Sequence, residues 1–215
     1  MLTGVEHSEP ETVEYWEHRY REKDRLWSGR PNDALVATVG GLPPGHALDL
    51  GCGEGGDALW LAENGWRVTA VDVTPTAVGR AREAELSCAG IDAPVDWVLA
   101  DLSTWEPSDR YDLVSACFLH SPLEFRRAQV IGRAASAVSS GGYVLVVGHA
   151  TAPPWATRHA HGEHRFLTPE EELRGLDLDA AEWETSVCEV RPRRAAGPTG
   201  EVVTLEDAVV LLRRR

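Results

Sequence analysis

Along the middle of the chain, short apolar runs alternate with glycine-rich breaks. Ala47-Leu48-Asp49-Leu50 is one such run, followed by Gly51-Cys52-Gly53-Glu54-Gly55-Gly56 and then by the apolar helical stretch Ala58-Leu59-Trp60-Leu61-Ala62. A short apolar run bounded by glycine reads as a buried strand, and apolar positions at helical spacing read as a packed helix. The beat continues downstream. Residues 67–73 predict a second strand, and Thr74-Pro75 opens a helix with a capping residue and proline at its first position. Ala77, Val78, Ala81, Ala84 and Leu86 line that helix until Gly90 stops it. Residues 95–100 predict a third strand and 111–118 a fourth. Residues 124–138 predict a helix whose apolar face is Val130, Ile131, Ala134 and Val138, and Gly141-Gly142 turns into a fifth strand over 143–147. Repeated β-α units of this size imply right-handed crossovers and a mostly parallel sheet.

The two ends depart from this rhythm. Residues 9–23 predict a polar helix with Trp16 and Tyr20 on one face, residues 33–39 a second helix, and Gly40 to Gly45 a breaker leading into the first strand. Residues 151–166 form a long His-rich loop, followed by a short helix capped at Thr168-Pro169-Glu170-Glu171. Residues 183–190 and 202–212 then read as two strands joined by a Pro/Gly turn too short for a crossover helix, which makes them an antiparallel hairpin. The expected architecture is α/β: a doubly wound, mostly parallel seven-stranded sheet with an antiparallel C-terminal hairpin. One domain spans 1–215, with a helical cap over 1–45, a cofactor-binding core over 46–150, and a substrate loop and terminal hairpin over 151–215.

Composition adds limits rather than detail. The 215 residues are 43% hydrophobic and 26% charged, ordinary for a globular protein. The net charge of −13 sets the chain against a nucleic-acid partner. The tail Arg213-Arg214-Arg215 is too small to change that. The scattered cysteines Cys52, Cys88, Cys117 and Cys188 show no metal or redox spacing, which predicts free thiols in a reducing cytoplasm. No basic-then-apolar leader and no membrane-length apolar run is visible, so a cytoplasmic protein with no membrane partner is expected.

The glycine turn carries the first chemistry. Strand, turn and helix N-terminus form the nucleotide-binding corner of a doubly wound sheet, and Gly51, Gly53 and Gly56 satisfy G-x-G-x-x-G. On that spacing alone an NAD(P)-dependent oxidoreductase is the alternative. Charge argues the other way. A dinucleotide lays its pyrophosphate on the turn, and Asp49 and Glu54 flank it with negative charge. They favour a ligand with an ammonium group and no phosphate, such as S-adenosylmethionine; Glu54 is equally readable as a solvated turn residue. Asp72 lies about 20 residues further on, where a carboxylate accepts from both ribose hydroxyls. Asp101, paired with apolar Leu102, suits the edge and face of an adenine.

With Leu48-Asp49-Leu50-Gly51-Cys52-Gly53, Asp72 ending the second strand and Ala100-Asp101-Leu102 ending the third, the chain resembles the class I S-adenosylmethionine-dependent methyltransferases. The resemblance implies a Rossmann-like methyltransferase fold with a reversed seventh strand. It implies a donor pocket formed by Asp49, Gly51, Gly53, Asp72, Val73, Asp101, Leu102 and Cys117. Trp27-Ser28-Gly29-Arg30-Pro31-Asn32, ahead of that motif, is similar to the tellurite-resistance and thiopurine methyltransferase group. That likeness implies that Trp27 packs near the donor, that the N-terminal helix closes over the site, and that the acceptor is a soft S, Se or Te nucleophile. Trp27 also reads as a core anchor of the cap.

Acceptor contacts are expected at the carboxyl ends of the fourth and fifth strands and in the loop after them. Candidates are Phe118, Leu119, His120 and His149, with His159, His161, His164 and Arg165 from the loop and Trp155 beside them. His164 and Arg165 form the preferred pair for a small oxyanionic or carboxylate acceptor, and His120 is the candidate base near strand four. His120 is as readily a cap for the turn at Ser121-Pro122. His159-x-His161-x-x-His164 fits no familiar zinc site, so no metal is expected.

Overall fold

The computed structural model describes residues 9–88, 90–152, 154, 166–197 and 199–215. Among these residues, seven strands form one sheet: β1 (His46–Leu50), β2 (Arg67–Asp72), β3 (Asp96–Leu99), β4 (Tyr111–Cys117), β5 (Val138–His149), β6 (Trp183–Ala196) and β7 (Val202–Arg214). Their order is β3-β2-β1-β4-β5-β7-β6. Neighbours are parallel from β3 to β5, and β7 runs antiparallel to both β5 and β6. The order reverses between β1 and β4, and that reversal opens a crevice at the strands' carboxyl ends.

Among the described residues, six helices complete the fold: α1 (Glu9–Arg21), α2 (Asp33–Val39), α3 (Gly56–Glu63), α4 (Pro75–Glu85), α5 (Arg127–Ser136) and α6 (Pro169–Gly175). The central strands are buried on both faces, which is why β1 reads as a continuous apolar run rather than an alternating one. One face packs Ala47, Val68, Leu113, Leu145 and Val209 against α2, α3 and α4. The other packs Leu48, Leu50, Val114 and Val144 against Val130, Ile131 and Ala134 of α5 and Leu176 after α6. A Leu48→Ala change would cost about 2–5 kcal/mol, since the side chain is fully buried.

Several boundaries differ from the sequence expectation. α5 ends at Ser136, and Val138 starts β5 instead of closing the helix. Gly142 lies inside that strand rather than ahead of it, because the β4–β5 pairing is irregular there and a Cβ on Gly142 would stand 3.0 Å from the Asp112 carbonyl oxygen. Thr74 sits at the N-cap of α4, but its hydroxyl makes no cap bond and donates to Asp72 instead. Thr168 and Glu171 do form a reciprocal capping box on α6. The terminal hairpin outruns expectation: β6 continues through Pro192 to Ala196. Proline is tolerated because β6 is the sheet's edge, and its register with β7 passes through Pro192↔Glu206 without a shift. Among the described residues, no helix is long and apolar enough to cross a membrane.

Candidate active site at the switch point

The turn after β1 is held from below by β2: the N–H groups of Gly51 and Cys52 both donate to the Val71 carbonyl, at 2.8 and 3.0 Å. Gly53 adopts a left-handed φ of 53°, and a Cβ there would meet the Tyr20 hydroxyl at 2.9 Å. Its N–H donates to Asp72 Oδ2 at 2.9 Å. Asp72 Oδ1 accepts from the Thr74 N–H at 3.0 Å and hydroxyl at 2.7 Å. Asp72 thus braces the corner through two backbone N–H groups and the Thr74 hydroxyl, with a single one of these donors on Oδ2. Burial pushes its carboxyl above the ordinary range, and these bonds offset only part of that.

Asp49 lies one layer deeper. Its Oδ1 accepts from the Ser115 hydroxyl at 3.0 Å, and its Oδ2 is buried with no hydrogen-bond partner. Burial, with Asp57 and Asp72 close by, pushes its carboxyl up to about 8. A buried acceptor without a donor costs about 1–3 kcal/mol, more when charged, so a cationic donor at this oxygen gains a large part of that back. The residues present therefore fit the ammonium group of a methyl donor.

The remaining carboxylates of the corner turn toward the cap. Glu54 is not a solvated turn residue: it is buried, pairs with Arg80 at 2.8 Å, and accepts from the N–H groups of Leu26 and Trp27. Its charge is compensated inside the protein by Arg80, so Glu54 contributes less to the field a ligand feels than an unpaired carboxylate would. Asp57 accepts from the Asn32 N–H at 2.6 Å and amide at 2.8 Å. Glu17 of α1 accepts from the Thr76 N–H and hydroxyl at the start of α4, an exposed donor of the helix's first turn. Arg80 also donates to the carbonyls of Tyr20 and Lys23.

The cap also removes the dinucleotide alternative. Gly56 is needed because Arg30 packs against it, a Cβ there falling 2.6 Å from the Arg30 carbonyl oxygen. The start of α3, where a pyrophosphate would rest, is covered by residues 29–32 and faces the carboxylate of Asp57. The third glycine serves cap packing rather than phosphate.

The other predicted positions are distributed as follows. Trp27 is no core anchor: it is 51% exposed, lies over Gly53, and donates from Nε1 to the Tyr20 hydroxyl at 3.0 Å. Val73 follows Asp72 at the end of β2. Asp101 follows β3, beside Ala100 whose N–H donates to the Asp72 carbonyl, and its own carboxylate accepts from the Ser103 N–H at 2.8 Å. Leu102 packs its side chain into the core under α5 instead of presenting a face to the crevice, so a ligand contact there falls to its backbone. Cys117 turns its thiol onto Asp57 beneath the turn, and burial pushes that thiol well above its ordinary range. Leu119 reaches back over Gly51, joining the corner to the end of β4. His120 and His149 stack at 6.0 Å between ring centroids, with Phe118 4.6 Å from His149. Trp155, His159, His161, His164 and Arg165 lie outside the described residues. The sequence alone does not mark Tyr20, Ser115 or Arg80 as site residues; a lone Ser inside the buried run of β4 is the one readable signal among them.

Residues 47–142 match the family profile of a methyltransferase domain. The chain is 31% identical over 102 residues to the probable thiol methyltransferase 2 of Arabidopsis thaliana, covering 46% of this chain and 45% of that protein. It is 34% identical over 155 residues to a 2-heptyl-1-hydroxyquinolin-4(1H)-one methyltransferase of Mycobacteroides abscessus, covering 67% and 63%. The chain thus spans between about half and two thirds of these relatives' lengths. A solved structure concerned with the conversion of a disulfide bond into a thioacetal group during echinomycin biosynthesis superposes with a TM-score of 0.67 at 25% identity, covering 94% of this chain and 92% of that one.

Proposed function

This chain belongs to the class I S-adenosylmethionine-dependent methyltransferases, and from that premise we propose that it moves a methyl group from S-adenosylmethionine to a soft small-molecule nucleophile, a thiol first of all. The observation that carries the donor half is the unpartnered Oδ2 of Asp49, beneath a glycine turn whose helix N-terminus is closed to phosphate. Asp49 would take the ammonium group and Asp72 the ribose hydroxyls. Asp101 and the Leu102 backbone would meet the adenine, with Val73 beside it. Gly51 and Gly53 let the backbone approach, Trp27 flanks the donor from the cap, and Cys117 supports the floor through Asp57.

The acceptor half rests on less. The similarity to a thiol methyltransferase supports a soft nucleophile, and the net charge of −13 disfavours a polyanionic acceptor. Bound S-adenosylmethionine supplies the sulfonium charge that activates the methyl group. The protein's contribution is to hold the acceptor in line at near-attack distance, which alone provides up to about 7–11 kcal/mol. Phe118, Leu119 and His120 border that position, and His164 and Arg165 remain candidates for binding it.

Calorimetric titration with S-adenosylhomocysteine and with NADH tests the donor half; micromolar NADH binding without S-adenosylhomocysteine binding would sink it. Release of S-adenosylhomocysteine over a panel of thiols, selenite, tellurite and phenols tests the acceptor half.

A further inference from the structure

One polar constellation is not used by the donor corner. His149 ends β5 and lies in register with Asp207 of β7, which in turn faces Arg191 of β6. His149 Nδ1 stands 3.8 Å from Asp207 Oδ1. Asp207 is buried to 1% exposure, and Arg193 grips it from above, with Nε 2.7 Å from Oδ2 and Nη2 3.2 Å from Oδ1. The Arg193 guanidinium also sits 5.5 Å over the Phe118 ring. Phe118 has a φ of 52°, a conformation non-glycine residues rarely adopt. That turn carries the chain out of β4 and brings the Phe118 and His120 rings against His149.

The charge balance favours an ionised Asp207. Burial alone would raise its carboxyl, but the nearby His149 imidazole and the hydrogen bonds and charge of Arg193 hold it below the usual range. Among the described residues, His120 after β4 stacks on His149, and Glu172 of α6, which approaches the neighbouring Gly148, is ion-paired with Arg127 at 2.6 Å. The imidazole side chain is 34% exposed. One edge of the ring is therefore tied to a buried carboxylate, while the ring keeps a route to solvent. An anion at Nδ1 selects the tautomer protonated there and leaves Nε2 as a proton acceptor. The 3.8 Å separation is longer than a direct hydrogen bond, and such pairs are commonly loose until the acceptor binds.

We propose that His149 is the general base of the acceptor site, with Asp207 as its positioning residue and a protonated thiol as the acceptor it serves. This rests on the methyltransferase reading above. In the step, the thiol proton passes to His149 Nε2, and the sulfur electron pair forms the new bond to the methyl carbon. The bond from that carbon to the donor sulfonium breaks with its pair staying on the donor sulfur, which leaves S-adenosylhomocysteine. The imidazolium then returns its proton to solvent. The acceptor thus arrives as a neutral thiol, not as a preformed thiolate.

The test compares two thiols with S-adenosylmethionine: 2-phenylethanethiol, protonated at neutral pH, and 4-nitrobenzenethiol, largely ionised there. His149→Gln should lower kcat/KM for the first by about 100-fold or more and leave the second nearly unchanged, with S-adenosylhomocysteine affinity intact. Equal losses with both thiols, no loss with the first, or no transfer to either by a wild type that binds S-adenosylhomocysteine would each overturn the assignment. A readout independent of turnover is the nitrogen NMR spectrum of the His149 ring in the S-adenosylhomocysteine complex. Asp207→Asn should shift the ring away from the tautomer protonated at Nδ1, and an unmoved tautomer balance overturns the pairing. Failure of wild type to bind S-adenosylhomocysteine would instead remove the methyltransferase reading itself.

Discussion

The proposed donor corner and the proposed acceptor end lie side by side along the same sheet edge, yet they are built in opposite ways. At the corner, each carboxylate is fixed by backbone N–H groups or by a partner on a neighbouring element: Asp72 by Gly53 and Thr74, Glu54 by Leu26 and Trp27, Asp57 by Asn32. Backbone donors cannot move without unfolding a turn, so the corner is rigid before any ligand arrives. At the acceptor end the groups are rings and long side chains, His149, His120, Phe118 and Arg193, held by stacking and one buried carboxylate. Such contacts adjust at small cost. On the proposed assignment, the shared co-substrate would be met by fixed backbone, and the variable partner by side chains that can be exchanged one at a time.

The contrast can be broken most severely at Asp72. Asp72→Ala removes a charged acceptor from three donors, each such bond being worth about 1.5–3 kcal/mol. Calorimetry should show S-adenosylhomocysteine binding weakened by more than about 100-fold. Next comes Glu54→Ala, which leaves the Arg80 guanidinium without its buried partner. Thermal unfolding should register a loss of about 3–5 kcal/mol, and proteolysis should cut the cap before the sheet. If Glu54→Ala leaves both unchanged, the cap is not fastened as described.

A third prediction concerns pH. The folded-state carboxyl of Asp49 is raised from an ordinary value of 3.8 to about 8. The folded protein therefore holds a proton there that the unfolded chain releases, and this group's contribution to stability falls as pH rises from about 4 to about 8. Binding a cation at Oδ2 favours the ionised form and expels that proton. S-adenosylhomocysteine affinity should thus climb with pH up to about 8 and level off above it, by at most about tenfold per unit. Asp49→Asn should flatten the slope. The smallest effect belongs to Trp27→Phe, which keeps an aromatic ring but loses the bond to Tyr20: about 0.5–1.5 kcal/mol in donor affinity, with acceptor KM unchanged.

How much of this was legible in the sequence follows from how far apart the partners lie along it. β1, the glycine turn and α3 are contiguous, so apolar periodicity and turn chemistry describe them in one window, and the doubly wound sheet with its reversed strand follows. Glu54 meets Arg80 and Leu26, 26 and 28 positions away, and Asp57 meets Asn32 across 25; nothing local marks those pairs. Glu54 was readable only as a charge near a turn, and its neutralisation by Arg80 needed the fold. The same holds for Thr74, whose position in front of Pro75 marks a helix cap while its hydroxyl serves Asp72. His149 and Asp207 become neighbours only because β7 is inserted between β5 and β6. The extension of β6 through Pro192 was hidden because proline ordinarily ends a strand, and only edge position permits it.

That proline also bears on how copies of the chain behave in concentrated solution. β6 is 14 residues long and forms one rim of the sheet, whereas the opposite rim, β3, has only four. A long rim of unpaired amides is a template on which a foreign strand can build, the first step toward aggregation. Pro192 deletes one amide hydrogen from the middle of that template, and the flanking Glu189, Arg191, Arg193 and Arg194 add charge along the same strand. The hairpin that walls the acceptor end is thereby kept from adding an eighth strand along its outer rim.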